Sequence, residues 1–226
     1  ADGIPKLQFT STRGGGAQDN SLNVMISKDL NTINQDRVLA ANWTDITSRA
    51  TLSVGATNTA SGSIDLSEFK NGDNPIWLAF KYTGTKSSVA QRSWIIRSLL
   101  VNNTLPDGRV SVISDINNAY WTAFDIKNPL ASWVIPNTAT ITQISINGGA
   151  ANSDDNEDWI VSKPLYLNKI APDVGNSIKN LASVPLPNYE YIFKTAGTYK
   201  VTFVAFNNSV DSNKIVVKEL VINVTP

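Results

Sequence analysis

Short apolar runs, each bounded by turn residues, recur along the chain and constrain its fold more than any other feature. Residues 22–27 alternate apolar with small or polar side chains, and residues 76–82 place an apolar residue at every second position. A period of two is typical of strands with one buried face. Turn signals separate the runs, such as three glycines at 14–16 and Asn-Gly-Asp-Asn-Pro at 71–75. The pattern predicts an all-β sandwich.

The C-terminal part carries three further strand-like runs, at 189–193, 198–206 and 214–224. They are typical of an immunoglobulin-like sheet, but a complete sandwich of that type has about seven strands. The missing strands would come either from the 105–136 region or from a segment that precedes Ala1. The C-terminal sheet is therefore expected to be smaller and incomplete by itself.

The proline-containing stretch at 182–187 is the best candidate for a domain boundary. We predict a jelly-roll-like β-sandwich over residues 1–181 and immunoglobulin-like strands over residues 182–226. Jelly-roll and immunoglobulin-like connections produce similar local patterns, so the sequence leaves the strand order open.

The charge balance argues against one class of partner. Lys+Arg and Asp+Glu are both 19, so the formal net charge is +0. Nucleic-acid binding draws on a basic excess that releases counterions, and we therefore expect no nucleic-acid partner. No apolar run approaches the roughly 20 residues of a membrane-spanning helix, so we expect no span in this chain.

Histidine and cysteine are both absent, which removes most catalytic designs. A Ser-His-Asp triad, a Cys-His pair and a metal centre with His or Cys ligands all need one of the two. Two carboxylates flanking a glycosidic bond would still suffice for a glycosidase. The candidates Asp45, Asp65 and Glu68 lie beside turns or at strand ends, where carboxylates commonly cap the backbone. We therefore expect a protein that is not an enzyme and has no cofactor.

Two groups of oxygen-bearing side chains are candidates for binding a cation. The acidic run from Asp154 to Asp158 concentrates carboxylates, yet its spacing matches no defined calcium loop. Asp29 with Asn31 and Asn34 is the other group, and a polar connection between strands explains it equally well. We expect a solvated loop at 153–158 and no metal site.

Aromatic side chains are the best material for contact with sugars, whose C–H faces stack on rings. Trp77, Trp94 and Trp159 lie within apolar runs and are expected in the core. Tyr120, Trp121 and Trp133 instead lie among Asn, Thr, Ala and Pro in a loop-rich stretch. We predict these three residues as the ligand-binding platform.

One set of motifs resembles a jelly-roll module of bacterial surface proteins called choice-of-anchor J. It comprises Asn-Trp-Thr-Asp-Ile-Thr at 42–47, Ser-Gly-Ser-Ile-Asp-Leu-Ser at 61–67, Leu-Ala-Phe-Lys-Tyr at 78–82 and Ser-Trp-Ile-Ile at 93–96. The resemblance implies a jelly-roll fold for this part of the chain.

A second set resembles a domain of unknown function, number 5017, of Bacteroidetes surface lipoproteins. It comprises Glu-Asp-Trp-Ile-Val-Ser-Lys-Pro-Leu at 157–165, Ala-Pro-Asp-Val-Gly at 171–175, Ile-Lys at 178–179 and Gly-Thr-Tyr-Lys-Val at 197–201. The resemblance implies a lipidated cysteine and the first half of an immunoglobulin-like module before Ala1. It also implies a cell-surface setting near polysaccharide-uptake systems, and it carries no catalytic residues to transfer.

Three hypotheses of function follow. The leading one is non-catalytic capture of a glycan or glycoprotein at the extracellular face of the outer membrane, with a lipid anchor upstream. The alternative is a structural or adhesive module that binds a protein partner. The third is a cryptic glycosidase that uses paired carboxylates.

Overall fold

The computed structural model describes residues 3–19, 21–168, 178, 182, 184, 186–208 and 213–225. The chain divides into two compact units, Ala1–Asp173 and Val174–Pro226. The boundary predicted at 181/182 lies in a stretch of which only isolated residues are described, so it stays a prediction.

The prediction of an all-β chain is confirmed, since strands dominate the described residues. They hold one α-helix, α1 (Gln35–Ala40), and two 3₁₀ turns, Thr47–Arg49 and Ser67–Phe69. The strands are β1 (Ile4–Gly14), β2 (Leu22–Ser27), β3 (Trp43–Asp45), β4 (Thr59–Ala60), β5 (Ile64–Asp65), β6 (Trp77–Gly84), β7 (Ser93–Thr104), β8 (Val110–Asp115), β9 (Thr122–Lys127), β10 (Trp133–Val134), β11 (Gln143–Ile146), β12 (Asn156–Val161), β13 (Gly197–Asn208) and β14 (Asn213–Val224).

Two antiparallel sheets form the first unit. One has the order β10-β11-β7-β1-β4, with β5 also paired to β1 and β8 to β7. The other has the order β3-β2-β6-β12-β9. Neighbours in the sheets are often distant in sequence, as in the pairing of Leu7 with Val101. Both sheets contribute to one apolar core, so this unit is the predicted sandwich.

The core between the sheets follows from the alternation in the sequence. Leu78, Phe80 and Tyr82 of β6 point inward and are buried, as the period of two predicts. Phe80 meets Phe9 of the opposite sheet edge to face, with ring centroids 5.4 Å apart. Each fully buried side chain of this size stabilises the fold by about 1.5–3 kcal/mol relative to exposure.

A second, smaller apolar cluster lies on the outer face of the β2-β6-β12 sheet. Trp77 and Trp159 lie there against Leu30 and Val38, which the segment around α1 supplies. The Asn34 side chain caps α1 by accepting a hydrogen bond from the Arg37 backbone N–H (3.0 Å). This cover explains why β6 is buried on both faces. Burial of all three strand tryptophans, including Trp94, is confirmed.

Among its described residues, the second unit has one antiparallel hairpin, β13–β14. The predicted strand at 189–193 is wrong: these residues have no regular structure, and Tyr191 packs on Phe193 with ring centroids 5.0 Å apart. The 105–136 region does not complete this sheet either. Its strands β8, β9 and β10 pair within the sandwich, where Ile113, Ala123 and Trp133 pack in or against the core.

Candidate ligand-binding site

Two of the three predicted platform residues are core residues. Trp121 and Trp133 are only 7% and 5% exposed, and their ring centroids lie 6.0 and 6.3 Å from that of Phe80. The Trp121 indole N–H donates to the backbone carbonyl of Ile116 (3.1 Å). The expectation that these rings face solvent is therefore wrong. Their polar sequence neighbours lie in turns and on short strands, while the indoles themselves turn inward.

Tyr120 is the one member of the predicted platform that reaches solvent, with 71% of its surface exposed. Its backbone is left-handed, at a φ of 48°, which is uncommon for a bulky residue. The neighbours Ala119 and Trp121 are both buried, so this conformation turns the intervening ring outward. Whether Tyr120 contacts a ligand stays a prediction.

Lys163 supports this presentation of Tyr120. Its backbone N–H donates to the carbonyl of Ala119 (2.7 Å), and its Nζ lies 5.0 Å from the centroid of the Tyr120 ring. A cation over an aromatic ring at this distance is attractive by about 0.5–1 kcal/mol at an exposed site. The ring is therefore held in place while most of its surface remains in water.

Beyond Lys163 the chain enters the wall of a cleft. Leu165 and Ile76 exchange two backbone hydrogen bonds of 2.8 Å, which bring Pro164 and Tyr166 alongside Pro75 and Trp77. The cleft has a volume of about 490 Å³. We call it the Trp77 cleft. Its lining residues are Lys28, Asp29, Leu30, Asn31, Asn71, Asn74, Pro75, Trp77, Pro164 and Tyr166.

Asp29 is the anionic group of the Trp77 cleft. Its carboxylate accepts hydrogen bonds from the Ser27 hydroxyl (2.7 Å) and from the backbone N–H of Asn42 (3.0 Å). These bonds, that of Ser27 foremost, lower the pKa of Asp29 below its usual value. The carboxylate is therefore charged at neutral pH.

Unpaired polar groups mark the same cleft. Within the described residues, the exposed side-chain amides of Asn31 and Asn74 make no hydrogen bond. The indole Nε1 of Trp77 is buried and also finds no acceptor there. A buried donor without a partner costs about 1–3 kcal/mol and calls for an explanation, such as a bound water or ligand. Trp77 is buried, as its apolar sequence neighbours predict, but those neighbours give no sign of its place in this wall.

A buried carboxyl group lies elsewhere, on the inner face of β12. Asp158 has no exposed surface, and neither carboxylate oxygen has a hydrogen-bond partner in the part of the chain described. Burial, followed by the charge of Asp125, raises the pKa of Asp158 to about 8. Burial also raises the pKa of the neighbouring Tyr82 phenol, whose hydroxyl donates to the Arg92 carbonyl (2.6 Å).

The acidic run that ends at Asp158 lies only partly in a loop. The expectation of a solvated loop over 153–158 is wrong for its last three residues, which form the start of β12. Asp154 and Asp155 do lie in an exposed loop, where Asp154 is paired with the Lys86 ammonium at 2.7 Å. Among the residues the structure describes, no three Asp or Glu side chains are arranged to hold a metal ion.

The carboxylates considered for a glycosidase have structural partners. Asp45 accepts from the backbone N–H of Thr47 (2.8 Å), and Asp65 from that of Ser67 (2.7 Å). Each therefore holds the first backbone N–H of a 3₁₀ turn, as a position beside a turn predicts. Glu68 pairs with Arg49 at 2.6 Å.

The fold and the cleft define a β-sandwich protein with a polar, partly aromatic surface site. The model of the family "Domain of unknown function (DUF5017)" matches residues 1–121. That is more than half of the 226 residues, and the chain belongs to this family. No curated protein and no solved structure matches the chain. In the described ranges, no helix has the length and apolar character needed to cross a membrane.

Proposed function

We propose that this protein captures glycans or glycoproteins without chemically altering them. The observation that carries the proposal is Tyr120, a ring that is 71% exposed on a left-handed backbone. Unusual backbone conformations cluster at functional sites because the surrounding structure must stabilise them. An exposed tyrosine offers an apolar face for sugar C–H groups and a hydroxyl for hydrogen bonds.

The position of Tyr120 supports the same proposal. Lys163 contacts its ring and is followed directly by Pro164, which lines the Trp77 cleft. An extended ligand could therefore contact the ring and the cleft along one segment of chain. Such a linear arrangement suits an oligosaccharide better than a compact metabolite.

The type of sandwich and the cellular location of the chain are part of the same proposal. We infer a jelly-roll sandwich of the choice-of-anchor J type, carried by a Bacteroidetes lipoprotein at the extracellular face of the outer membrane. The motifs at 42–47 and 157–165 support this setting. Capture next to a polysaccharide-uptake system would then be the role of the protein.

A glycan array tests the proposal directly. The purified chain is applied to arrayed plant, microbial and host glycans, beside a Tyr120→Ala variant. We expect concentration-dependent binding by the native chain and at least about fivefold weaker binding by the variant, since a lost stacking ring costs about 1 kcal/mol or more. An array without signal for the native chain rejects the proposal. Release of reducing sugar from the bound glycans would reject its non-catalytic part.

The alternative, a module that binds a protein partner, has one specific observation in its favour. The β13–β14 hairpin exposes large apolar side chains along its length, among them Ile215, Val217, Leu220 and Val221. Contiguous exposed apolar surface commonly marks a protein interface. Capture of proteins rather than glycans would be shown by binding that survives enzymatic removal of all sugar from the ligand.

A further inference from the structure

We propose that the Trp77 cleft is a subsite for a neutral sugar unit of the captured glycan. This inference rests on the proposed function and extends it, because it assigns the site and the charge class of the ligand. It excludes acidic sugars as the preferred occupants.

The size of the Trp77 cleft suits this assignment. Its volume of about 490 Å³ lies within the roughly 300–1,000 Å³ of small-ligand pockets. The cleft is open to solvent through exposed residues such as Asn31, Asn74 and Pro164. A unit within a longer chain can therefore enter it without being cut free.

The unpaired amides supply the hydrogen bonds that a sugar ring needs. A hydroxyl group both donates and accepts, and a side-chain amide offers a carbonyl oxygen and an NH₂ group close together. Asn31 and Asn74 have both groups unused in the described structure. Asn71 is partly committed, because its Nδ2 donates one hydrogen bond to the carbonyl of Lys28 (3.3 Å), which leaves one N–H and the oxygen.

The apolar part of the wall complements the C–H faces of a sugar. Trp77 and Tyr166 contribute rings, and Pro75 and Pro164 contribute aliphatic rings of similar breadth. The Trp77 N–H lies beneath this apolar surface and has no acceptor among the described residues.

Charge selects the class of sugar. The Lys28 ammonium donates to the backbone carbonyl of Glu68 (3.2 Å) and forms no ion pair with Asp29 among the described residues. The Asp29 carboxylate is fixed by Ser27 and Asn42, and its lowered pKa keeps it charged. An acidic sugar would meet this charge at close range, whereas a neutral one can donate hydroxyl hydrogen bonds to it.

Calorimetric titration with four probes tests the inference. The probes are maltohexaose, mannohexaose and xylohexaose, which are neutral, and hexagalacturonate, which is acidic. We expect at least one neutral probe to bind the native chain at least about tenfold more tightly than hexagalacturonate. The cleft variant Asn31→Ala/Asn74→Ala should weaken that binding at least about tenfold, the loss expected for two hydrogen bonds.

Two further variants separate binding from folding. Trp77→Phe keeps an aromatic ring in the wall and should weaken binding severalfold, and its melting temperature measures the separate cost of the smaller buried side chain. The matched control is Asn137→Ala/Asn147→Ala, which removes two exposed asparagines elsewhere in the sandwich. The control should bind as the native chain does.

The outcomes distinguish the inference from the proposed function. Neutral probes could bind the cleft variant and the native chain equally but bind Tyr120→Ala more weakly. That result would reject the cleft as a sugar subsite and leave the proposal of glycan capture intact. Preferred binding of hexagalacturonate that depends on Asn31 and Asn74 overturns the neutral class. Failure of every probe on the native chain, together with a silent glycan array, overturns both.

Discussion

Asp158 lies directly opposite Asp125 in the antiparallel register of β9 and β12. Asp158 is fully buried on the inner face of the sheet, whereas Asp125 on the neighbouring strand is exposed. Two carboxylates in such proximity cannot both be charged without cost, and the buried one holds its proton more tightly. The raised pKa of Asp158, about 8, is the result.

This arrangement predicts that stability falls as the pH rises. Below about pH 4 Asp158 is protonated in both the folded and the unfolded chain. From there to about pH 8 the folded chain keeps a proton that the unfolded chain releases, so the free energy of unfolding declines across this window. Asp158→Asn keeps the shape without the charge and should remove this part of the decline, giving on the order of a few kcal/mol more stability at pH 8.

Urea unfolding at pH 5 and pH 8 measures this effect, with Asp155→Asn as the matched control. Asp155 is exposed in the preceding loop and should leave the pH dependence nearly unchanged. An Asp158→Asn variant that loses stability at pH 8 would show that the carboxylate is stabilised by its surroundings, contrary to the effect of burial and of Asp125.

The charge of Asp125 provides a separate prediction. Asp125→Asn removes the second-largest cause of the shift and leaves the largest, burial. The pKa of Asp158 should therefore fall but remain above the usual value for aspartate. A ¹³C NMR titration of the side-chain carboxyl groups measures it. An unchanged pKa would mean that the two carboxyl groups do not interact electrostatically.

The fold class could be predicted from the sequence because strands with one buried face show a local alternation of apolar and polar residues. The alternating run at 76–82 was enough to place Leu78, Phe80 and Tyr82 on one face. It could not show that α1 covers the opposite face of β6, because that contact joins residues far apart in the chain. Strand pairing, such as that of β1 with β7, is non-local for the same reason.

The candidate site was harder to predict, because exposure depends on which way each side chain turns. Tyr120 and Trp121 have nearly identical sequence surroundings, yet one lies in water and the other in the core. The left-handed backbone at Tyr120 decides this, and no residue-type pattern signals it. The Trp77 cleft could not be predicted because the pairing of Ile76 with Leu165 forms its wall, and local residue spacing does not reveal that pairing.

The core residues Trp121 and Trp133 should differ in how much stability is lost when each is replaced by phenylalanine. Trp121→Ala and Trp133→Ala should each lower the free energy of unfolding by about 3–5 kcal/mol, as truncations of buried rings. With phenylalanine the two positions separate. Trp121→Phe loses the hydrogen bond to Ile116, whereas the Nε1 of Trp133 has no partner among the described residues.

Trp121→Phe should therefore cost about 1 kcal/mol more than Trp133→Phe. Chemical denaturation of the four variants against the native chain measures the difference. Equal costs for the two phenylalanine variants would show that the Trp133 N–H does find an acceptor in solution.

The C-terminal hairpin should not fold by itself. A two-stranded ribbon is marginally stable at best in water, and β13–β14 has largely exposed side chains. A peptide of residues 174–226 is expected to show no cooperative thermal transition by circular dichroism, whereas residues 1–173 should show one. A cooperative transition in the isolated peptide would mean that it forms a core, by self-association or otherwise.

Tyr120 offers a test that separates its backbone from its ring. Glycine usually destabilises a folded chain by about 0.5–1 kcal/mol relative to alanine, because it frees the unfolded backbone. At a φ of 48° the order should invert, since alanine retains a left-handed strain of about 1–2 kcal/mol that glycine does not have. Tyr120→Gly should thus melt above Tyr120→Ala, while both bind glycans equally weakly. A higher melting temperature for the alanine variant would show that the backbone at Tyr120 is not held in this conformation and that no backbone strain accompanies the exposed ring.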